Sequence, residues 1–325
     1  MTQGSAVPPP VTVVMDAAEA WLPARMARVE ERLAAAAEGH GDALGGEAGA
    51  TLSAGGKRLR PILVLLCSGR ESGEDAIRAA TAIELVHMAT LVHDDVLDSA
   101  PLRRGRPTVF ATSGRGRATA VGDLLFSRAF AELDGPGAGR QTALLAGASV
   151  ALARGELAQR RDAFDLSIPP ERYLDRCRLK TARLFECACV IGRADPAADE
   201  AMTAFGREIG LAFQLLDDVL DVAGPPERTG KARGTDLLDG TVTMPLILAR
   251  ERDPGLAELD LRSLDPESAA LVCDRIAATG ALEQVRASAR DRVEQAKATI
   301  AAAPIVDEQR ELMALVADGV VERYS

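Results

Sequence analysis

The chain has 325 residues, of which 47% are apolar and 3% aromatic, and it carries a formal charge of −10. That length can bury a large core, and an apolar set led by Ala and Leu favours helices over sheets. The acidic balance argues against a nucleic-acid binder, whose footprint is basic, but it leaves room for a local basic cluster that holds an anion.

The opening MTQGSAVPPPVTVV has no basic segment leading into a long apolar stretch, so no signal peptide is expected. Residues 1–10 are expected to be a disordered tail, and 11–325 a single all-helical domain. From Met15 to Ala37 the apolar spacing is helical, broken at Pro23. A Gly-rich interruption, GHGDALGGEAGA, follows. GGKRLRP then leads into ILVLLC, expected to be a buried helix. Asp75 to about Leu97 reads as one long helix, and Pro101 and Pro107 mark the next segment as a loop. Helical spacing returns over Ala118–Leu133 and Gln141–Arg161, with DAFDLSIPP as a connector. It continues over Glu171–Gly192 and Asp199–Val222. AGPPERTGKARGTDLLDG is polar and rich in Gly and Pro, the composition of a mobile loop beside a site. Three or four shorter helices are expected to finish the chain. No alternating strand and no fixed-period repeat is found, so the fold class is all-α, one bundle of ten or more helices. No apolar run reaches about 18 residues, which excludes a transmembrane helix and stable membrane insertion. Cys67, Cys177, Cys187, Cys189 and Cys273 form no CxxC pair and read as reduced, buried thiols of a cytoplasmic protein.

Chemistry concentrates in two acidic segments. LVHDDVLD ends the long helix with Asp94, Asp95 and Asp98. Asp94 and Asp98 are four apart and share a face, at the helix end whose dipole disfavours anions. A cation resolves that conflict, and oxygen-only ligands with open positions suit Mg²⁺ shared with substrate phosphates. QLLDDVLD repeats the spacing at Asp217, Asp218 and Asp221. One acidic helix end is more often a solvated cap. Two copies, each after a long apolar helix, read as a multi-Mg²⁺ clamp for a diphosphate. Basic residues supply the counterpart: Arg103, Arg104 and Arg106 after the first cluster, Lys57, Arg58 and Arg60 in GGKRLRP, Lys180 in LKTARLF and Lys231 in TGKARGTD. Arg offers a bidentate fork and Lys a point charge. The Walker pattern GxxxxGK[ST] is absent.

These motifs and their order resemble the trans-isoprenyl diphosphate synthases, or polyprenyl synthetases. The residues that carry the resemblance are GGKRLRP (Gly55–Pro61), ELVHMATLVHDDVLD (Glu84–Asp98), LRRGRPT (Leu102–Thr108), KTARLFE (Lys180–Glu186), FQLLDDVLD (Phe213–Asp221) and GKARGTD (Gly230–Asp236). The resemblance implies an isoprenoid-synthase bundle around a deep central cavity, usually a homodimer, with a small partner subunit as an open alternative. It implies head-to-tail (1'-4) condensation of isopentenyl diphosphate with an allylic diphosphate, farnesyl or geranylgeranyl. Carried over by motif, Asp94 and Asp98 bind two Mg²⁺ with Asp95 in support. Asp217 binds a third, with Asp218 and Asp221 beside it. Arg103, Lys180, Gln214 and Lys231 hold the allylic diphosphate, while Lys57, Arg60, His87 and Arg104 hold isopentenyl diphosphate. Thr181 and the Lys180 backbone lie beside the developing carbocation. One departure is Thr241 in GTVT, where many relatives have a lysine; one diphosphate contact is missing there.

Ala89 and Thr90 lie five and four residues before Asp94, about one helical turn deeper. In short-chain relatives, bulky aromatics near these positions resemble a floor. Ala89 and Thr90 leave it open, so the resemblance implies a medium- or long-chain product, about C30 to C50, held by about 0.8 kcal/mol per buried CH₂. The heptaprenyl, octaprenyl and nonaprenyl synthases are the members it is most like. A geranylgeranyl (C20) synthase remains the alternative, since it differs only in tunnel depth. A terpene cyclase or a non-catalytic regulatory subunit is disfavoured, because both acidic clusters and GGKRLRP are retained.

Overall fold

The computed structural model describes residues 9–53, 56–103, 105–135, 138–224 and 233–322. The first helix, α1 (Pro9–Ala17), begins two residues before the tail was expected to end. The next, α2 (Leu22–Ala37), has Pro23 in its first turn, where a missing N–H costs nothing, so the break falls ahead of the proline. Leu22, Met26, Val29 and Leu33 form its buried stripe.

The Gly-rich segment expected to interrupt the chain is instead a helix, α3 (Gly41–Ser53). A Cβ on Gly45 would stand 2.7 Å from the Ala37 carbonyl oxygen, so glycine lets α3 lie against the end of α2. Ala48 and Leu52 are buried there, and packing overrides weak propensity.

Two helices then form the centre. In α4 (Leu59–Ser68), every residue from Pro61 to Cys67 is buried. The long α5 (Glu74–Leu97) is buried almost all round and packs against α2, α4 and helices that follow it. After it, the expected loop contains a short antiparallel ribbon, β1 (Leu102–Arg103) with β2 (Arg106–Pro107). The helix α6 (Val109–Glu132) starts earlier than its spacing suggested, with Thr108 as N-cap, and bends at Gly114. It runs back along α5, keyed by Gly122, where a Cβ would meet His93 Nε2 at 2.3 Å.

The second half carries α7 (Gly139–Asp162) and α8 (Pro170–Cys177), then a π-helical segment (Arg178–Ala182) continuous with α9 (Arg183–Ile191). It goes on through α10 (Asp199–Ala223), α11 (Thr235–Leu238), α12 (Met244–Arg250), α13 (Pro254–Ala257), α14 (Pro266–Ala278), α15 (Ala281–Ala301) and α16 (Asp307–Glu322). The C-terminal part is therefore larger than three or four short helices, because α15 packs along α10 and α16 returns to α1. One cluster of buried side chains runs from Val14 to Val320. All five cysteines are free and buried. Among the described residues, no helix is long and apolar enough to cross a membrane.

Candidate active site

The last turns of α5 border a cavity of about 240 Å³. Its wall includes Thr90, Asp94 and Leu97 of α5, Phe126 of α6, Leu152 and Glu156 of α7, and Lys180 of the π segment. Burial pushes the Asp94 carboxyl up, against the pull of Lys180. Burial also works against the Lys180 ammonium, but Asp94 and Glu156 outweigh it and its pKa is raised. Glu156 accepts from Lys180 Nζ on one oxygen and from Arg160 Nε on the other, the latter at 2.7 Å. Burial would raise the Glu156 carboxyl, yet Lys180 and Arg160 hold it below the usual range. The far side of the Arg160 guanidinium pairs with Asp98. An alternating belt thus runs Asp98, Arg160, Glu156, Lys180, Asp94. Arg103, on the ribbon, donates from Nε to Asp95 Oδ1 at 2.7 Å, and Asp95 is buried.

The π segment links this belt to the second acidic cluster. It is pinched between two glycines. A Cβ on Gly155 of α7 would stand 2.5 Å from the Lys180 nitrogen, and one on Gly210 of α10 would stand 2.6 Å from Ala182 Cα. A π turn carries an extra residue and often marks a functional site. Here it sends consecutive side chains two ways, Lys180 to α7 and Thr181 to α10. Thr181 Oγ1 donates to Gln214 Oε1 at 2.7 Å, and Gln214 Nε2 donates to Asp218 Oδ1 at 2.8 Å. The Tyr173 hydroxyl donates to the other Asp218 oxygen. Burial, reinforced by nearby Asp236, pushes the Asp218 carboxyl up to about 8. Asp217 is exposed and Asp221 half-buried on the same helix, and the Asp236 N–H donates to Asp221 Oδ2 at 3.3 Å. Asp218 is therefore the inward member, engaged by Tyr173 and Gln214. Among the described residues, no three acidic, His or Cys side chains converge into a ready metal cage. The oxygen-only donors still fit Mg²⁺, which takes one or two carboxylates and completes its shell with water and phosphate.

The other expected residues make contacts of their own. Arg58, in a left-handed conformation (φ 47), pins α2 to α5 through Glu30 and Glu84 at 2.6 and 2.8 Å. Arg60 lies over the Phe185 ring at 4.4 Å, and burial lowers its pKa to about 10, so it stays charged at neutral pH. Lys57 and His87 are half-buried, and neither they nor Arg60 line the cavity beside Asp94. Thr90 lines it, but Ala89 is fully buried and does not. Arg104 and Lys231 lie outside the described residues. Around Thr241 the chain is fixed by other groups. Phe164 N–H donates to the Gly240 carbonyl at 2.7 Å, and buried Arg176 donates to the Val242 carbonyl at 2.6 Å.

Sequence reasoning missed Glu156, Arg160, Tyr173 and Phe126. GELAQRRD reads as a solvated charged face, and only the approach of the π segment to Gly155 brings Glu156 to Lys180.

Comparison with known proteins agrees with the motifs. Residues 44–268 match the family model Polyprenyl synthetase. The chain is 42% identical over 230 residues to heptaprenyl diphosphate synthase component 2 of Geobacillus stearothermophilus, covering 69% of this chain and 72% of that one. It is 33% identical over 265 residues to the octaprenyl diphosphate synthase of Escherichia coli, covering 78% and 82%. Its fold superimposes on a heptaprenyl diphosphate synthase from Staphylococcus aureus with a TM-score of 0.87 and 28% identity, covering 93% of this chain and 98% of that one. A polyprenyl synthase from Caulobacter crescentus, solved with calcium and isoprenyl diphosphate, gives 0.84 at 32% identity over 100% of both chains. The chain that builds this acidic, π-linked site belongs to the polyprenyl synthetase family.

Proposed function

We propose that the chain is a Mg²⁺-dependent prenyltransferase. It condenses isopentenyl diphosphate head-to-tail (1'-4) onto an allylic diphosphate, farnesyl or geranylgeranyl, and makes a medium- or long-chain all-trans polyprenyl diphosphate. One observation carries this reading. Asp94 and Lys180 line one cavity together with the apolar Leu97, Phe126 and Leu152. A charged head and an apolar tail would each find its own chemistry there. The Caulobacter relative, solved with calcium and isoprenyl diphosphate, supports the same assignment.

Asp94 and Asp98, and across the site Asp217 and Asp221, would hold the Mg²⁺ ions, with Asp95 and Asp218 as buried anchors. When bound, the ions supply neutralising charge for the departing diphosphate. Lys180 and Arg103, with Gln214 and Lys231, hold the allylic diphosphate. Lys57, Arg60, His87 and Arg104 are assigned to isopentenyl diphosphate. Thr181, oriented by Gln214, places an oxygen dipole beside the developing allylic cation. The apolar wall excludes water that would otherwise quench that cation. No side-chain nucleophile is needed.

The buried cluster from Val14 to Val320 supports residues 11–325 acting as one domain. Two exposed apolar residues two turns apart on α7, Val150 and Leu157, at 59% and 70% exposure, support a homodimer face. The component 2 name of the Geobacillus relative supports testing for a small partner subunit. Free, buried cysteines support a cytoplasmic location. The second reading, a C20 product, is favoured by Phe126, an aromatic at the depth expected to be open.

Calorimetric titration with Mg²⁺, with and without inorganic pyrophosphate, tests the site. Pyrophosphate should tighten Mg²⁺ binding at least about tenfold in the native chain and not in Asp94→Ala. Equal Mg²⁺ affinity in both proteins would remove Asp94 from the metal set.

A further inference from the structure

We propose that Phe126 of α6, rather than the α5 positions Ala89 and Thr90, is the side chain that stops product growth. The inference rests on the prenyl-transfer reading above. Phe126 brings a phenyl ring to the cavity lining, whereas the ring that α5 brings, the His93 imidazole, is next to Asp94 in the chain and not deeper. Its depth follows from the α5–α6 register. Gly122 lies against His93, one residue before Asp94. Because α6 runs back along α5, Phe126 stands about one turn deeper, level with Thr90. Phe130 follows one turn on, its ring 5.7 Å from that of Phe126 and tilted by 40°.

Both rings are half-buried and packed on the edge of the core. Thr90 cannot act as a polar barrier, since its hydroxyl donates to the His87 carbonyl at 2.7 Å. Ala89, fully buried, presents nothing to the cavity. The volume makes the same point. At about 240 Å³ the cavity is smaller than the roughly 300–1,000 Å³ of sites that enclose a drug-sized ligand. A polyprenyl chain that grows away from Asp94 therefore runs into the Phe126 ring. It continues only where that ring turns aside against Phe130, and the ring's size sets how often that happens.

The test compares native chain, Phe126→Ala and Phe126→Leu, each with Mg²⁺, farnesyl diphosphate and labelled isopentenyl diphosphate, sizing the dephosphorylated products. The expected result is a shift of the main product upward by at least one C5 unit in Phe126→Ala, and a smaller upward shift in Phe126→Leu. Phe126→Leu keeps an apolar side chain of similar bulk, so it guards against loss of fold. Unchanged or shorter products from active variants would overturn the proposal. So would loss of turnover in both variants at native melting temperature, because the ring would then serve substrate binding rather than termination. A native chain that makes no prenyl product at all is a different failure, that of the functional reading itself.

Discussion

Gly155→Ala isolates how the site is held together. The added methyl would lie 2.5, 2.8 and 2.9 Å from backbone atoms of Lys180 and Leu179, where an ordinary contact needs about 3.4 Å. No flexible side chain can yield there, so α7 and the π segment must part by roughly 1 Å, a displacement that can cost on the order of 100-fold in rate. Helix propensity works the other way, since alanine in a helix gains about 1 kcal/mol over glycine. Overpacking costs about 1–3 kcal/mol, so net stability should fall by no more than about 2 kcal/mol. Gly147→Ala is the internal control. It lies on the same helix with nothing within 4 Å, so it should gain stability and keep its rate. Steady-state kcat/KM for the allylic diphosphate and the thermal midpoint are measured for both. A Gly155→Ala enzyme within about threefold of native kcat/KM would refute the idea that this backbone contact aims Lys180 and Glu156.

Glu156→Gln keeps the shape but removes the charge between Lys180 and Arg160, pairs that are about a quarter to two-fifths exposed on the cationic side. Hydrogen bonds to charged groups contribute about 1.5–3 kcal/mol, and partial exposure favours the low end, so kcat/KM should drop about tenfold; a fully active variant would count against the belt. Burial, with Asp236 nearby, pushes the Asp218 carboxyl up to about 8 in the folded chain, above its unfolded range. Its contribution to stability is therefore complete below about pH 4 and lost as pH rises through 8. In EDTA, urea midpoints should fall from pH 5 to pH 8, and Asp218→Asn should flatten that fall; an unchanged slope would place the titration elsewhere. Ala89→Phe adds a ring to a fully buried position outside the cavity. It should lower stability by about 1–3 kcal/mol without shortening the product, and a shorter product at native stability would restore Ala89 to the wall.

The helical class, the long helices that end in Asp94–Asp98 and Asp217–Asp221, and the Lys180–Thr181 pair were readable in the sequence. Each rests on local spacing or a contiguous motif. What was not readable depends on contacts distant in the chain. The Gly-rich segment around Gly45 becomes α3 because the end of α2 is there to receive it. Arg58 and Arg60, two apart in one motif, part company only when α2 and α9 surround them. Glu156 and Arg160 look like a solvated face until Lys180 arrives. Phe126 sits in LLFSRAF, where periodicity marks a core residue and cannot show that one edge faces a cavity. The π turn has no sequence period of its own, and it decides which way Lys180 and Thr181 point.

The most direct measurement of the central claim is a single incubation. The purified chain alone is given Mg²⁺, farnesyl diphosphate and labelled isopentenyl diphosphate, beside the same mixture in EDTA and beside Asp94→Ala. The expected result is a ladder of prenyl products one C5 unit apart that needs Mg²⁺ and falls by orders of magnitude in the folded Asp94→Ala chain. Label incorporated equally with and without Mg²⁺, or undiminished in Asp94→Ala, would contradict the claim.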